Sequence, residues 1–352
     1  MLIFLAILGL GVLIVVHELG HMLVARAAGM RVERFSVGFG PSLLRWRGKQ
    51  TTYQIALVPL GGFVQIAGMN PHEKLPPDDP ESYANKSPLA RFLTILAGPL
   101  TNYLFAVVIM IGVTLTWGLP QSRLAVGAIT GAAAREAGLR PGDVFLSLAG
   151  QPVSDPERVV EIIGASRGRP LALRVERDGQ PVSLQVTPRR EKDSYRIGIG
   201  FGNKITFTRL DVGGALLYSL YFPVDKTREV LSGLGTYFHK LFRRLFHGGE
   251  ASSQQMGGPL EVIRQLSLAF REGLAISLLF LALLNVYLGL FNLLPVPALD
   301  GSRLMFLGFT MISRRPVNQR AENMVHTVGF VVLLGFILLV TYRDILRLLG
   351  AH

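Results

Sequence analysis

From Leu2 to Val16 the chain carries no polar side chain, and the run then closes on His17-Glu18-Leu19-Gly20-His21. No other feature narrows the possible folds so far. Continued to Ala27, the segment has the roughly 20 apolar residues that a bilayer-spanning helix requires. On a helix, positions i and i+4 share one face about 6 Å apart along the axis. Both imidazoles can therefore turn toward one metal ion, with Glu18 beside them to take a proton from an attacking water. Short patterns of this kind recur by chance. The setting makes this one informative, because ionisable groups at membrane depth are costly and are functional hypotheses by default. Arg26 reads as a snorkelling side chain. Ala25-Arg26-Ala27 looks like a signal-peptide cleavage site. However, Met1-Leu2-Ile3-Phe4 supplies no positive leader and the run ends in His-Glu, so the segment is read as a retained span.

Charged residues make up 17% of the 352 residues and mean hydropathy is +0.39, against about a quarter charged in soluble domains. Three further stretches, 89–118, 272–294 and 324–346, are apolar enough to span. The net charge of +12 could point to nucleic acid, but no compact basic, aromatic-rich motif accompanies it, so no nucleic-acid partner is expected. The surplus lies in loops beside apolar stretches, where anionic lipid and the positive-inside bias account for it. Arg31, Arg34, Arg45, Arg47, Lys49, Lys74 and Lys86 follow the first span; Arg303, Arg314, Arg315 and Arg320 follow the third. Both loops are expected in the cytoplasm, which leaves Met1, residues 119–271 and His352 outside. With no cysteine in the chain, disulfides, thiol catalysis and cysteine-ligated zinc are excluded.

The first loop is too apolar for an ordinary cytoplasmic one. Residues 35–41 and 53–66 read as strands broken by glycine and proline. Together they make either a β-hairpin dipping back against the helices or a small interfacial sheet. Residues 122–205 change character: the β-branched runs 171–176 and 182–186 flank Asp178-Gly179, a hairpin signal, after a helical stretch from Pro156 to Ala165. Gly138-Leu-Arg-Pro-Gly-Asp143, followed by Val144 to Leu148, resembles the Gly-Leu-x-Pro-Gly-Asp signature of bacterial PDZ domains. That resemblance implies a peptide ligand bound by strand addition, with a steric spacer as the competing role. From 224 to 247 an amphipathic helix is expected, with Val230, Leu231, Leu234, Phe238, Leu241, Phe242 and Leu245 on one side. Lys240, Arg243, Arg244 and His247 give it basic character, fitting the outer membrane surface or a brace for the PDZ-like region.

A catalytic site with three protein ligands needs one more residue. The third span ends in Asn292-Leu-Leu-Pro295-Val-Pro297-Ala-Leu-Asp300-Gly301, where proline breaks the helix. Asp300, an acid closing an apolar span, is the best remaining ligand. Topology agrees, since the first and third spans run the same way and reach His17, His21 and Asp300 at one end. The other polar candidates are weaker. His326 opens the fourth span and reads as an interfacial or packed histidine, and Asn285 and Tyr287 as packing hydrogen-bonders. His72, His239, His247 and His352 lie in loop, surface or terminal contexts; Thr101 and Ser302 lack a base partner for serine- or threonine-type catalysis.

Taken together, His-Glu-x-x-His in the first span and Asn292-x-x-Pro-x-Pro-x-Leu-Asp-Gly301 in the third resemble the site-2 protease family, in its bacterial regulator-of-sigma-E branch. Gly98-Pro99-Leu-Thr-Asn102 and Gly258-Pro259 match further elements of that family, and the resemblance covers nearly the whole chain. It implies Zn2+ held by His17, His21 and Asp300, Glu18 as general base, and Asn292 helping to hold substrate backbone or the oxyanion. A helix-capping role for Asn292 is the alternative. The implied fold is an α-helical multi-pass membrane protein with four transmembrane helices, a membrane-associated β-hairpin and one inserted extracytoplasmic PDZ domain. Its parts are the first span with the zinc motif (1–28), a cytoplasmic-side loop with the re-entrant hairpin (29–88), the second span (89–118), the PDZ domain (122–205), an amphipathic segment (206–271), the third span with Asp300 (272–301), a cytoplasmic loop (302–323) and the fourth span (324–346). The implied activity is hydrolysis within transmembrane segments of single-span proteins in the bacterial plasma (inner) membrane, releasing an anti-sigma factor or clearing signal-peptide remnants. The hairpin would pair with an unwound substrate helix. Some members of the branch carry two PDZ domains where this chain has one. A non-catalytic scaffold recruiting partners through its PDZ domain is the competing expectation, and the presence of Glu18 argues against it.

Overall fold

The first apolar run forms one unbroken helix, α1 (Leu2–Ala27), about 39 Å long at 1.5 Å per residue. Its buried face is built partly from small residues, Ala6, Gly11, Gly20 and Ala25, while Phe4, Leu8, Val12 and Leu23 face outward. The computed structural model describes residues 1–70, 73, 75–76, 78–191, 194–247, 258–315 and 319–348. His72, Lys74 and His352 lie outside these residues, as do the side chains of 237–247, including those of Phe238, His239 and His247. The chain divides into two units, Met1–Leu115 with Val212–His352, and Thr116–Asp211.

In the larger unit, α1 is followed by two long strands, β1 (Val32–Arg47) and β2 (Thr52–Ile66). The expected hairpin is there, but it is folded over on itself. Residues 34–37 pair antiparallel with 62–65, as in Phe35↔Val64 and Val37↔Gly62, and on their other side meet 52–55, as in Phe35↔Tyr53 and Val37↔Ile55. In that second pairing both numbers rise together, so these two segments run parallel. Residues 52–55 in turn face 44–47. The result is four strand segments in the order 42–47, 52–56, 32–37, 62–66, with the last forming an edge that pairs with no further strand among the described residues. Glycine makes the fold-over possible. Gly38 sits at φ +89, where a Cβ would come 2.6 Å from the Val58 carbonyl. Val32, Phe35 and Ile66 pack with Met22 and Ala25 of α1 and with Met30 just beyond it, whereas Phe39 and Leu57 at the far tip, and Leu43, Leu44 and Trp46 on the outer segment, are exposed.

α2 (Pro88–Thr116) leads into the inserted unit. There β3 (Leu119–Ile129), α3 (Ala132–Glu136), β4 (Val144–Leu148), β5 (Gln151–Pro152), α4 (Pro156–Ala165), β6 (Leu171–Arg177), β7 (Gln180–Val186), β8 (Arg189–Glu191), β9 (Ser194–Arg196) and β10 (Ile199–Thr208) follow in order. The main sheet runs β10-β3-β4-β6-β7, with β5 beside β4. Val126, Leu148, Val159, Leu173, Val175 and Val186 are buried in its core. Asp178-Gly179 makes the expected turn, both residues having positive φ (51 and 80), as a two-residue type I′ loop demands. Asp155 caps α4, accepting from Arg158 N at 2.7 Å. In the Gly138–Asp143 loop, Asp143 accepts from Arg140 N and from two nitrogens of Arg177, each at 2.8 Å.

The larger unit resumes with α5 (Val212–His247), α6 (Pro259–Glu272), α7 (Leu274–Leu293), α8 (Asp300–Ser313) and α9 (Gln319–Leu348). α5 begins well before the amphipathic stretch read from 224. Of that apolar stripe, Leu231 is exposed and everything from 237 lies outside the described side chains. Gly258 precedes α6 because a Cβ there would collide with Asp344 of α9, whose carboxylate accepts from Gly258 N at 3.2 Å. Among the described residues, four helical stretches are long and apolar enough to cross a membrane: Leu2–Ala27, Pro88–Thr116, Leu274–Leu293 and Met324–Leu346. Residues 302–313, expected as loop, are helical: α7 stops at Leu293 and a new helix begins at Asp300.

Candidate metal centre

His17 and His21 lie on the buried face of α1 with their Nε2 atoms 3.2 Å apart. After α7 the chain turns: Val296 N donates to Leu294 O at 2.7 Å and Leu299 N to Val296 O at 3.1 Å, with Ala298 at φ 74, and Pro295 and Pro297 keep it from continuing the helix. A Cβ on Gly301 would overlap the Leu294 carbonyl, so the turn into α8 is tight. That turn brings Asp300 Oδ2 to 3.1 Å from His17 Nε2 and 3.3 Å from His21 Nε2. Among the described residues these three ligand atoms form a group within 4.8 Å of one another.

The far sides of both rings are held. His21 Nδ1 lies 2.8 Å from the Thr94 carbonyl, so Nδ1 carries the hydrogen and Nε2 presents a bare lone pair. His17 Nδ1 lies 3.4 Å from the Asn102 amide, whose oxygen has no partner. Turning that amide over would let Oδ1 accept from Nδ1–H, leaving His17 Nε2 bare as well. Two bare imidazole nitrogens and an otherwise unpartnered carboxylate oxygen, all converging, fit a divalent ion that takes nitrogen and oxygen ligands. α2 comes close enough to hold the rings because residue 98 is glycine: a Cβ there would overlap the His21 ring.

Glu18 sits beside this group, its Oε2 accepting from Val64 N at 3.0 Å on the 62–66 edge of the sheet. A cavity of about 320 Å3 is lined by His17, Glu18, His21, Asp300, Val64, Ile66, Met69, Asn292, Ala298, Leu299, Arg303 and His326. Every site residue expected from the sequence therefore reaches one cavity. Asn292 lies on its wall and donates to Leu288 O at 3.0 Å, which leaves its second N–H available. Ser302 has acquired a histidine neighbour, but its hydroxyl donates to Leu299 O at 2.8 Å and is spent. Asn285 is fully buried in α7, and the packing hydrogen bonds expected of it are not formed by its side-chain atoms among the described residues. Sequence reasoning missed Thr94, Val64, Arg303 and the cavity position of His326. Two of these, Thr94 and Val64, act through backbone groups that leave no signal in side-chain patterns.

Known proteins fall in line with this arrangement. A model of peptidase family M50 matches residues 5–336. A Clostridium perfringens protein whose name designates a zinc metalloprotease is 32% identical over 98% of this chain and 99% of that one. Zinc metalloprotease RasP of Geobacillus kaustophilus is 29% identical over 95% of each chain. Regulator of sigma-W protease RasP of Bacillus subtilis is 27% identical over 96% of each. A solved PDZ domain of an SdrC-like protein from Listeria monocytogenes aligns with 22% of this chain and 86% of its own, at 13% identity and a TM-score of 0.21, too slight a likeness to identify a fold. Both halves of the site, the α1 histidines and Asp300, fall inside the family match, and the chain belongs to peptidase family M50.

Proposed function

We propose that this chain is a zinc-dependent protease working within the membrane, where it hydrolyses peptide bonds inside transmembrane segments of single-span proteins. One observation carries the reading: His17, His21 and Asp300 converge in one cavity with Glu18, on a helix apolar enough to lie in a bilayer. The relatives' names supply the metal. His17, His21 and Asp300 would hold the zinc, which would supply Lewis-acid chemistry, making a water more acidic and a carbonyl more electrophilic.

The remaining chemistry belongs to the chain. Glu18 receives the proton of the attacking water and hands it to the leaving amine nitrogen as the C–N bond breaks. Val64 N–H donates to that carboxylate and holds it in place. Asn292 can turn its free N–H toward the oxygen on which charge develops. A peptide bond inside a helix is shielded, so the substrate must enter extended, and the 62–66 edge is a surface onto which an extended segment can add. The exposed apolar residues at the tip and outer edge of the sheet support its lying at membrane depth.

The four apolar helices are read as spans, with the first sheet and the α8 region on the cytoplasmic side of a bacterial plasma membrane and residues 116–211 outside. The inserted unit is read as a PDZ domain on the strength of its Gly138–Asp143 loop; a peptide ligand is its expected partner. One relative, named regulator of sigma-W protease, supports a role in regulated intramembrane proteolysis; an anti-sigma factor or a signal-peptide remnant is the substrate we infer.

Glu18→Gln tests this against a scaffold role. The variant should keep one zinc per chain while cleavage of a model single-span substrate falls about 10³-fold. Equal processing by both proteins would leave the scaffold reading standing.

A further inference from the structure

The mechanism above leaves His326 unused. It sits near the start of α9 and lines the cavity that holds Glu18, Asn292 and Asp300. Its Nε2 is buried and has no hydrogen-bond partner among the described residues. The three metal-binding atoms form their group without it. The opposite ring nitrogen settles its chemistry: Nδ1 lies 3.5 Å from Ser302 Oγ, whose own hydrogen goes to Leu299 O at 2.8 Å. Ser302 can therefore only accept, Nδ1 carries the ring hydrogen, and Nε2 presents a lone pair. The Phe306 ring stands edge-on at 6.3 Å and helps fix the imidazole plane.

A buried acceptor with no donor is uncommon in a folded protein and calls for an explanation. An extended substrate brings the complement. Unwinding a transmembrane helix frees main-chain N–H groups in a place poor in water, and each needs an acceptor. We propose that His326 is a substrate-binding residue: its Nε2 accepts a main-chain N–H of the unwound segment and so sets which peptide bond lies beside Glu18. This rests on the intramembrane-protease reading.

The two ring nitrogens can be tested separately. Asparagine places an amide where Nδ1 lies, and glutamine places one where Nε2 lies. Wild type, His326→Asn, His326→Gln and Glu18→Gln, all full-length and zinc-loaded, would be compared on one single-span substrate, with zinc content and thermal midpoint read in parallel. His326→Asn should keep wild-type zinc and midpoint and lose roughly tenfold in kcat/KM, the equivalent of one hydrogen bond. His326→Gln should recover most of that loss. Wild-type cleavage by His326→Asn, glutamine no better than asparagine, or loss of zinc alongside activity would each overturn the proposal. Wild type no faster than Glu18→Gln would instead remove the protease reading, and this inference with it.

Discussion

Gly98 shows how much of this site is decided by a single hydrogen. It lies where the α2 backbone passes the His17 and His21 rings, and a Cβ there would overlap His21 and come within 2.9 Å of His17 Cε1. Gly98→Ala should therefore fold with its helices intact yet hold zinc at least roughly tenfold less tightly, as expected when ligand orientation is disturbed. Chelator competition on the purified protein reads this directly, and wild-type retention would contradict it. The same residue marks the limit of what the sequence could reveal. His17, Glu18 and His21 were legible because helical spacing brings them together, and Asp300 because an acid is conspicuous at the end of an apolar run. Gly98-Pro99-x-x-Asn102 was visible only as a pattern, since a glycine needed for close approach and an amide aimed at His17 acquire meaning only in contact. In the sequence His326 reads only as an interfacial or packed histidine, because a lone histidine carries no spacing to another ligand. Its neighbour Ser302 is 24 residues away.

Among the elements, the first sheet diverged furthest from expectation. Strand propensity marked its two halves, but period-2 patterning does not say that a strand will fold over and pair on both sides, as residues 34–37 do. Its 62–66 edge can be tested at Val64, whose N–H goes to Glu18 and not into the ladder. Proline is tolerated at such an edge position. Val64→Pro should thus keep the thermal midpoint and zinc of wild type while cleavage falls roughly tenfold, about the worth of one hydrogen bond to a charged group; unchanged cleavage would count against any role for this edge. In the inserted unit, the loop signature was legible and its cause was not. Burial alone would push the Asp143 carboxyl up, but the Arg177 guanidinium and Arg140 N–H outweigh it and hold it below the usual carboxylate range. A depressed folded value means the pair stabilises fully above the unfolded pKa of about 3.9 and fades as pH falls through the folded one. Arg177→Met should cost roughly 3 kcal/mol at neutral pH by stranding a buried carboxylate. The difference from wild type should shrink as pH falls through the depressed folded value, until the carboxyl is protonated in both proteins. Unfolding midpoints of the full-length pair across that range check it, and a pH-independent difference would contradict it.

For the whole molecule, orientation is the property that charge decides and internal packing does not. Arg31, Arg34, Arg45, Arg47 and Lys49 cluster after the first apolar helix, and Arg303, Arg314 and Arg315 after the third. Each such charge resists translocation when it lies near a span, so both clusters should stay in the cytoplasm. Alternation across α2 then places the inserted unit on the other side. The absence of cysteine makes the arrangement directly measurable, because a single introduced thiol is the only one in the chain. Gln50, between β1 and β2, and Ser154, in the inserted unit, are both exposed, and Ser313 ends α8. In intact spheroplasts a membrane-impermeant maleimide should label Ser154→Cys at once, and Gln50→Cys and Ser313→Cys only after permeabilisation. The reverse pattern would invert the orientation. Labelling of Gln50→Cys and Ser154→Cys from the same side would mean that α2 does not cross. The meeting of His17, His21 and Asp300 requires only that α1 and α7 run the same way; the labelling outcome decides which face of the bilayer that shared depth lies near, and so from which side a substrate helix would be opened beside them.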